Sequence, residues 1–271
     1  SGAPEASRPA RRVVAVELFV DRARMASASF DATVARSLIE SIVERLDRLP
    51  LAIELAAARV RLLAPEALLG RLDDQLDQLG RAPVDLPTRH ATLRAAVDWS
   101  WQLLGPEERR VLASCAVFAG SFALEAAEVV VGGTDVAATL ERLCDRSLVR
   151  ARTVPELSSQ VRFELYAAVQ QFAAERLAAM PEAVLPAITF ERHALWVLDE
   201  GARWVADLDG RGHARAKAHL ELELDNLRQA FERQSTAGAP ELAARLGRLL
   251  DACLRLRGGA AARRARCRAT S

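Results

Sequence analysis

Chemistry on phosphates would first require a lysine after a glycine-rich turn, because a Walker A loop cradles the phosphate chain with backbone N–H groups and reaches the outer phosphates with that ammonium. The chain has one lysine, Lys217, in the string Arg215-Ala216-Lys217-Ala218-His219, and no such turn precedes it. The sequence therefore offers no phosphate-binding loop. His213 and His219 are six residues apart, off the i, i+4 spacing that lets two imidazoles on one helix share a metal, and His90 and His193 stand alone. Cys115, Cys144, Cys253 and Cys267 show neither Cys-x-x-Cys nor Cys/His spacing. That argues against a zinc site or a disulfide framework and for a reducing, cytoplasmic setting. Asp73/Asp74 and Asp207/Asp209 are carboxylate pairs of the kind that can act as acid and base. Helix surfaces and loops produce such pairs by default, and no apolar pocket sequence surrounds either one. No Gly-x-Ser-x-Gly elbow occurs. The residues assign no catalytic group and no metal ligand, so the isolated chain reads as a non-enzyme without a cofactor.

Two cationic segments could meet nucleic acid. The first is a helix expected over Val136 to Arg146, where Glu141 and Asp145 offset Arg142 and Arg146. A helix that approaches phosphates carries a surplus of base, so packing against protein is preferred, with DNA contact as the alternative. The second is the tail, with Arg255, Arg257, Arg263, Arg264, Arg266 and Arg268 among glycine and alanine. It lacks aromatics for base stacking and reads as a solvated or cut end, with nucleic-acid contact again the alternative. The whole chain balances 37 basic against 36 acidic side chains, so no global field draws it to nucleic acid or membrane. No apolar run reaches bilayer length and no signal peptide opens the chain. The opening Ser1-Gly2 without an initiator suggests a piece of a longer protein.

The elements that must position these residues are nearly all helical. With 51% of its 271 residues apolar and few aromatics, the chain favours close-packed Ala/Leu-rich helices. Residues 1–12 read as a linker or cut end. Val16, Phe19, Val20 and Ala23 form one helical stripe, and Val34, Leu38, Ile42 and Leu46 a second. Pro50 interrupts, and Leu51 to Leu63 is so apolar that its helix must be buried on most sides. Pro65 opens a helix with the stripe Leu68, Leu69, Leu72, Leu76 and Leu79, ended by Gly80. Leu93, Val97, Trp101 and Leu104 line the next helix. Gly105-Pro106 resets the chain, and Leu112, Cys115 and Phe118 follow. Short helices are expected at Leu124 to Val131 and Val136 to Arg146, the latter with Thr134 as N-cap. Leu148 to Arg152 and Val161 to Tyr166 alternate apolar and polar residues across a loop with Pro155, Ser158 and Ser159, which predicts a hairpin. A helix over Ala167 to Ala179 closes this segment, giving the element order of a winged helix-turn-helix. Three long helices should follow, roughly Ala187 to Val205, Ala214 to Arg233 and Glu241 to Leu256, packed as antiparallel pairs that begin a repeat array.

Several strings then resemble one family. They are Ala15-Val16-Glu17-Leu18-Phe19-Val20-Asp21-Arg22-Ala23; Arg48-Leu49-Pro50-Leu51-Ala52-Ile53-Glu54-Leu55-Ala56-Ala57-Ala58-Arg59; Thr92-Leu93-Arg94-Ala95-Ala96-Val97-Asp98-Trp99-Ser100; Val117-Phe118-Ala119-Gly120-Ser121-Phe122; and Leu224-Asp225-Asn226-Leu227-Arg228. Together they resemble bacterial STAND-type predicted ATPases with an NB-ARC-like core, common in transcriptional regulators. The resemblance implies a mainly α fold in three modules: an NB-ARC-like helical lid over 13–85, a winged helix with a small β-hairpin over 86–181, and tetratricopeptide-like antiparallel helices over 182–258, with a basic tail over 259–271. It implies an upstream P-loop ATPase module that binds ATP or ADP in the full-length parent, and an inducer or protein partner at the C-terminal helices.

By the same resemblance Leu49, Pro50 and Leu51 would lie on the adenine side of a nucleotide held by that upstream module. The family's glycine is replaced here by Arg48. The phosphate-contacting Met-His-Asp-like triplet after the hairpin is matched by Leu165-Tyr166-Ala167, which has neither imidazole nor acid, so packing and not phosphate contact is carried over. The function implied is a non-catalytic regulatory segment of a nucleotide-switched signalling protein in transcriptional regulation. The alternative is a DNA-binding winged-helix regulator.

Overall fold

The computed structural model describes residues 7–32, 36–80, 88–133, 135–157, 160–180, 184–210 and 212–269, with side chains over 13–32, 36–74, 91–133, 135–157, 160–180, 185–210 and 212–256. The described residues form twelve α-helices and one three-stranded sheet. They divide into two compact units: residues 1–109, 138–149 and 166–172 in one, 110–137, 150–165 and 173–271 in the other. Each unit draws on more than one of the sequence segments expected to be modules.

In the first unit α1 (Ser7–Ala26), α2 (Arg36–Arg45), α3 (Pro50–Ala57), α4 (Pro65–Gly80) and α5 (Thr88–Gln102) pack α1 on α3, α2 on α4 and α3 on α5. Phe19, Ile39, Ile42, Leu46, Ile53 and Leu55 are wholly buried there. Three details differ from the sequence expectation. Helix α1 begins at Ser7, inside the segment read as linker, because Pro9 falls in its first turn, where a missing N–H costs nothing. The buried stripe of α2 is Ile39, Ile42, Val43 and Leu46; Leu38 is half-buried and Val34 lies outside the described residues. Both stripes satisfy helical spacing, and the β-branched one faces inward. Finally, α3 ends at Ala57 and not near Leu63, as Arg59 and Val60 turn back with i→i−3 hydrogen bonds to Ala56 and Ala57. Its burial is as expected, with Ala52, Ile53, Leu55, Ala56 and Ala57 all enclosed.

Helix α6 (Pro106–Cys115) starts after the Gly105-Pro106 reset; Gly105 N–H donates to Glu108 at 2.8 Å and so caps the new helix. β1 (Ser121–Ala123), α7 (Leu124–Val131), α8 (Val136–Asp145), β2 (Val149–Val154), β3 (Gln160–Leu165) and α9 (Ala167–Ala178) follow. Thr134, Ser158 and Ser159 lie outside the described residues. The expected hairpin is β2–β3, but the sheet has a third strand, in the order β1-β3-β2. Strand β1 is too short to show an alternation of its own, and all three of its residues are buried. It pairs antiparallel with β3 through Ser121↔Glu164, Phe122↔Phe163 and Ala123↔Arg162. The inward phase of β3 is also reversed at its start, where Val161 is 45% exposed and Arg162 1%.

The second unit is built on α10 (Val184–Ala206), α11 (His213–Thr236) and α12 (Pro240–Ala269), which pack pairwise around Val197, Leu198, Leu220, Leu224, Leu227, Leu246 and Leu249. Gly201 allows the close approach: a Cβ there would stand 2.5 Å from the Leu249 side chain. No helix among the described residues is long and apolar enough to cross a membrane.

Candidate functional site

The corner between α2 and α3 is set by two residues that are not glycine yet lie in the left-handed region, Asp47 at φ 52° and Arg48 at φ 56°. They let α2 close with Arg48 N–H donating to Val43 and Leu49 N–H to Leu46, so the last carbonyls of the helix are satisfied. The arginine that replaces the resembled family's glycine thus occupies the conformation that glycine adopts at least cost. Leu49 is then extended (φ −77°, ψ 119°) and Pro50 opens α3 at a position where its absent N–H is no loss. Thr92 on α5 holds the corner by donating to Asp47 at 2.8 Å. Pro50 is exposed between the half-buried Leu49 and Leu51, so the three expected adenine-side residues present a small apolar surface at the head of α3.

One turn along the same helix, Glu54 receives a hydrogen bond from the Tyr166 hydroxyl at 3.1 Å and an ion pair from Arg22 at 3.4 Å. Tyr166, the middle residue of the triplet matched to the phosphate sensor, is therefore tied to the helix that Pro50 begins. Beside Glu54 opens a polar cleft of about 270 Å³ whose wall includes Arg22, Arg61, Cys144, Asp145 and Ser147.

Of the two arginines in and after α8, Arg146, just past its end, is turned towards protein, whereas the Arg142 side chain is 46% exposed. Arg146 pairs with Glu108 at 3.2 Å and donates to the Leu103 carbonyl at 3.4 Å; Arg142 stands 3.8 Å from the same carboxylate and donates to Thr139 at 2.7 Å. Nearby, Arg59 is 1% exposed with its guanidinium 5.6 Å from the Trp99 ring centre. Burial first, then the Arg146 cation, lowers its pKa to about 10.

In the other unit two of the family-like strings meet. Asn226 accepts from Ala119 N–H at 2.7 Å and donates to the Ser121 carbonyl at 3.2 Å and to Glu223 at 2.6 Å. Arg162 donates to the Ser121 hydroxyl at 3.0 Å, to its carbonyl at 2.6 Å and to Glu223 at 2.5 Å. Arg162, Glu223 and Asn226 are 1%, 3% and 0% exposed. Burial drives the Glu223 pKa upward, and the Arg162 charge opposes it. Sequence reading missed Arg162 and Glu223. The signal available was a glutamate beside the apolar stripe Leu220, Leu224 and Leu227 of α11.

The remaining candidates are dispersed. His193 is wholly buried edge-on to Phe118 at 5.2 Å, His219 stacks on Trp204 at 4.7 Å, and His213 bonds the Leu208 carbonyl at 2.6 Å. The His90 side chain lies outside the described residues, as do those of Arg257 and the later tail arginines, although the α12 backbone runs helically to Ala269. Asp73 pairs with Arg45 at 3.1 Å, Asp207 and Asp209 sit in a single 3₁₀ turn, and Lys217 pairs with Glu221 at 3.9 Å. Burial pushes the Cys115 thiol up to about 12 and, with Asp145 and Glu141, the Cys144 thiol up to about 11. Among the described residues no three His, Cys, Asp or Glu side chains gather as metal ligands would.

No protein-family model matches the chain. It is 37% identical over 225 residues to the proteins named "Putative HTH-type transcriptional regulator Rv0890c" of Mycobacterium tuberculosis strain H37Rv and "Putative HTH-type transcriptional regulator Mb0914c" of Mycobacterium bovis. The match covers 80% of this chain and 24% of each relative. It is also 34% identical over 186 residues to "Uncharacterized protein Rv0894" of Mycobacterium tuberculosis, covering 66% of this chain and 47% of that one. The chain thus spans about a quarter of the length of the first relatives and about half of the other, and what it is similar to is a segment within each.

Proposed function

We propose that this chain is a non-catalytic regulatory segment of a nucleotide-switched STAND-type signalling protein acting in transcriptional regulation. The observation that carries the proposal is the α2–α3 corner. Its left-handed Asp47 and Arg48 present the Leu49-Pro50-Leu51 surface at the head of a buried helix, where the resembled family faces adenine. The names of the mycobacterial relatives support the regulatory part. In this scheme an upstream P-loop module binds ATP or ADP, residues 13–85 cover the nucleotide, and residues 86–181 hold the closed state by packing. A ligand or protein that binds α10–α12 better in one arrangement shifts the equilibrium. The test is ADP retention by the chain joined to its upstream region. Deleting residues 88–180 is expected to speed ADP release, and an unchanged rate would sink the proposal.

A second reading, a DNA-binding winged helix, takes its support from the relatives' names alone. The engagement of Arg146 by Glu108 weighs against it, although Arg142 is exposed. It requires salt-dependent duplex binding by this chain that weakens on Arg142→Ala and Arg146→Ala. Absence of binding at low salt would remove it.

A further inference from the structure

Strand β1 has three residues and three ladder pairs with β3, too little to hold its own register in water. Its anchorage comes from Asn226 of α11 and from Arg162 of β3, which Glu223 of α11 holds. The Ser121 carbonyl receives both Arg162 and Asn226, the Ser121 hydroxyl receives Arg162, and the Ala119 N–H two residues earlier is taken by Asn226. Glu223, one turn before Asn226, binds both donors through its two oxygens. Every one of these groups lies within a single compact unit. We propose that Glu223 and Asn226 form a coupling element, through which movement of α11 among the C-terminal helices is passed to the β1–β3 ladder.

The chemistry makes the coupling discrete. A buried guanidinium and carboxylate are either paired or leave an uncompensated charge away from water, so intermediate seatings of α11 are disfavoured. Helix α11 is in turn held by α10 and α12, and the wholly buried Leu246 of α12 belongs to the same apolar cluster as Leu220, Leu224 and Leu227. A loosened α12 therefore reaches Ser121 through Glu223 and Asn226. As a route for a regulatory signal this rests on the nucleotide switch proposed above; as a mechanical link it does not.

The test is hydrogen exchange on the whole 271-residue chain. Leu246→Ala is expected to speed exchange of the amides over 121–123 and 162–164 by roughly tenfold. In the Arg162→Met/Glu223→Met background, where an apolar pair replaces the ionic one without stranding a charge, the same substitution is expected to change those amides by less than about twofold. Equal acceleration in both backgrounds, or none in the parent, overturns the proposal. If the double variant does not unfold cooperatively, Asn226→Leu, which removes the α11 bonds to Ala119 and Ser121 and strands no buried charge, takes its place in the same comparison. ADP release from the chain joined to its upstream region is measured on the same variants. Failure of the parent to retain ADP counts against the nucleotide switch, while the exchange result still decides the coupling.

Discussion

The α2–α3 corner and the cluster around Asn226 both lie in strings that resemble one family, yet their surroundings are opposite. Asn226 is wholly buried, and its amide oxygen and nitrogen are engaged by Ala119, Ser121 and Glu223. Packing and hydrogen bonding alone account for that residue type. The corner leaves Pro50 exposed between two half-buried leucines and keeps two non-glycine residues left-handed. Internal packing accounts for its backbone but not for an apolar surface turned outward. A motif fully explained by the fold is architecture, whereas one with an unexplained exposed part is the better candidate for meeting a ligand.

The comparison breaks first if the Asn226 cluster proves dispensable. Glu223→Ala strands Arg162 in the interior, and we expect a loss of about 3–5 kcal/mol in chemical denaturation. A loss under about 1 kcal/mol would mean that the cluster is not a structural lock.

The same unit should also be the acid-sensitive one. Burial, then the Arg233 cation, pushes His193 down to about 3, with the Asn226 side chain opposing. Its contribution to stability is complete above the unfolded-state pKa near 6.5. It is lost as pH falls towards 3, because the unfolded chain takes up a proton that the folded one refuses. The expected slope from this group is about 1 kcal/mol per pH unit within that window. His193→Met should flatten it, and an unchanged slope in urea titrations between pH 6 and 4.5, taken as an approximate working range, would contradict the assignment.

Smaller effects sharpen the corner. Thr92→Val removes the hydrogen bond to Asp47 and should cost about 1 kcal/mol, with a smaller loss when Asp47 is already replaced by Ala. Arg48→Gly should stabilise by roughly 0.5–1 kcal/mol, since glycine relieves the left-handed strain and the Arg48–Glu44 pair it gives up is half-exposed. Clear destabilisation would mean that Arg48 does more than turn the chain.

Much of this fold was legible. The stripes of α1 and of the three C-terminal helices, the buried Leu68 and Leu72 of α4, whose Leu76 and Leu79 side chains lie outside the described residues, and the Gly105-Pro106 reset announce themselves through periodicity and backbone restriction. What stayed hidden was non-local. A three-residue strand shows no alternation, and the partner of Arg162 stands 61 residues away on a helix. Alternation favours Val161 inside and Arg162 outside; Glu223, together with Ser121, offsets the cost of the reverse phase. Of the candidate site, Leu49, Pro50 and Leu51 are picked out by the resemblance alone. The left-handed Arg48 is not, because that conformation is one that side chains at such positions ordinarily avoid.

The central claim is that the surface at Pro50 meets a nucleotide and does not merely begin a helix. The most direct measurement is the ADP dissociation rate of the chain joined to its upstream region, compared for the parent and Pro50→Ala. The account expects release several-fold faster, on the order of 1 kcal/mol of lost contact, with an unchanged unfolding midpoint. An ADP release rate equal to that of the parent would contradict it.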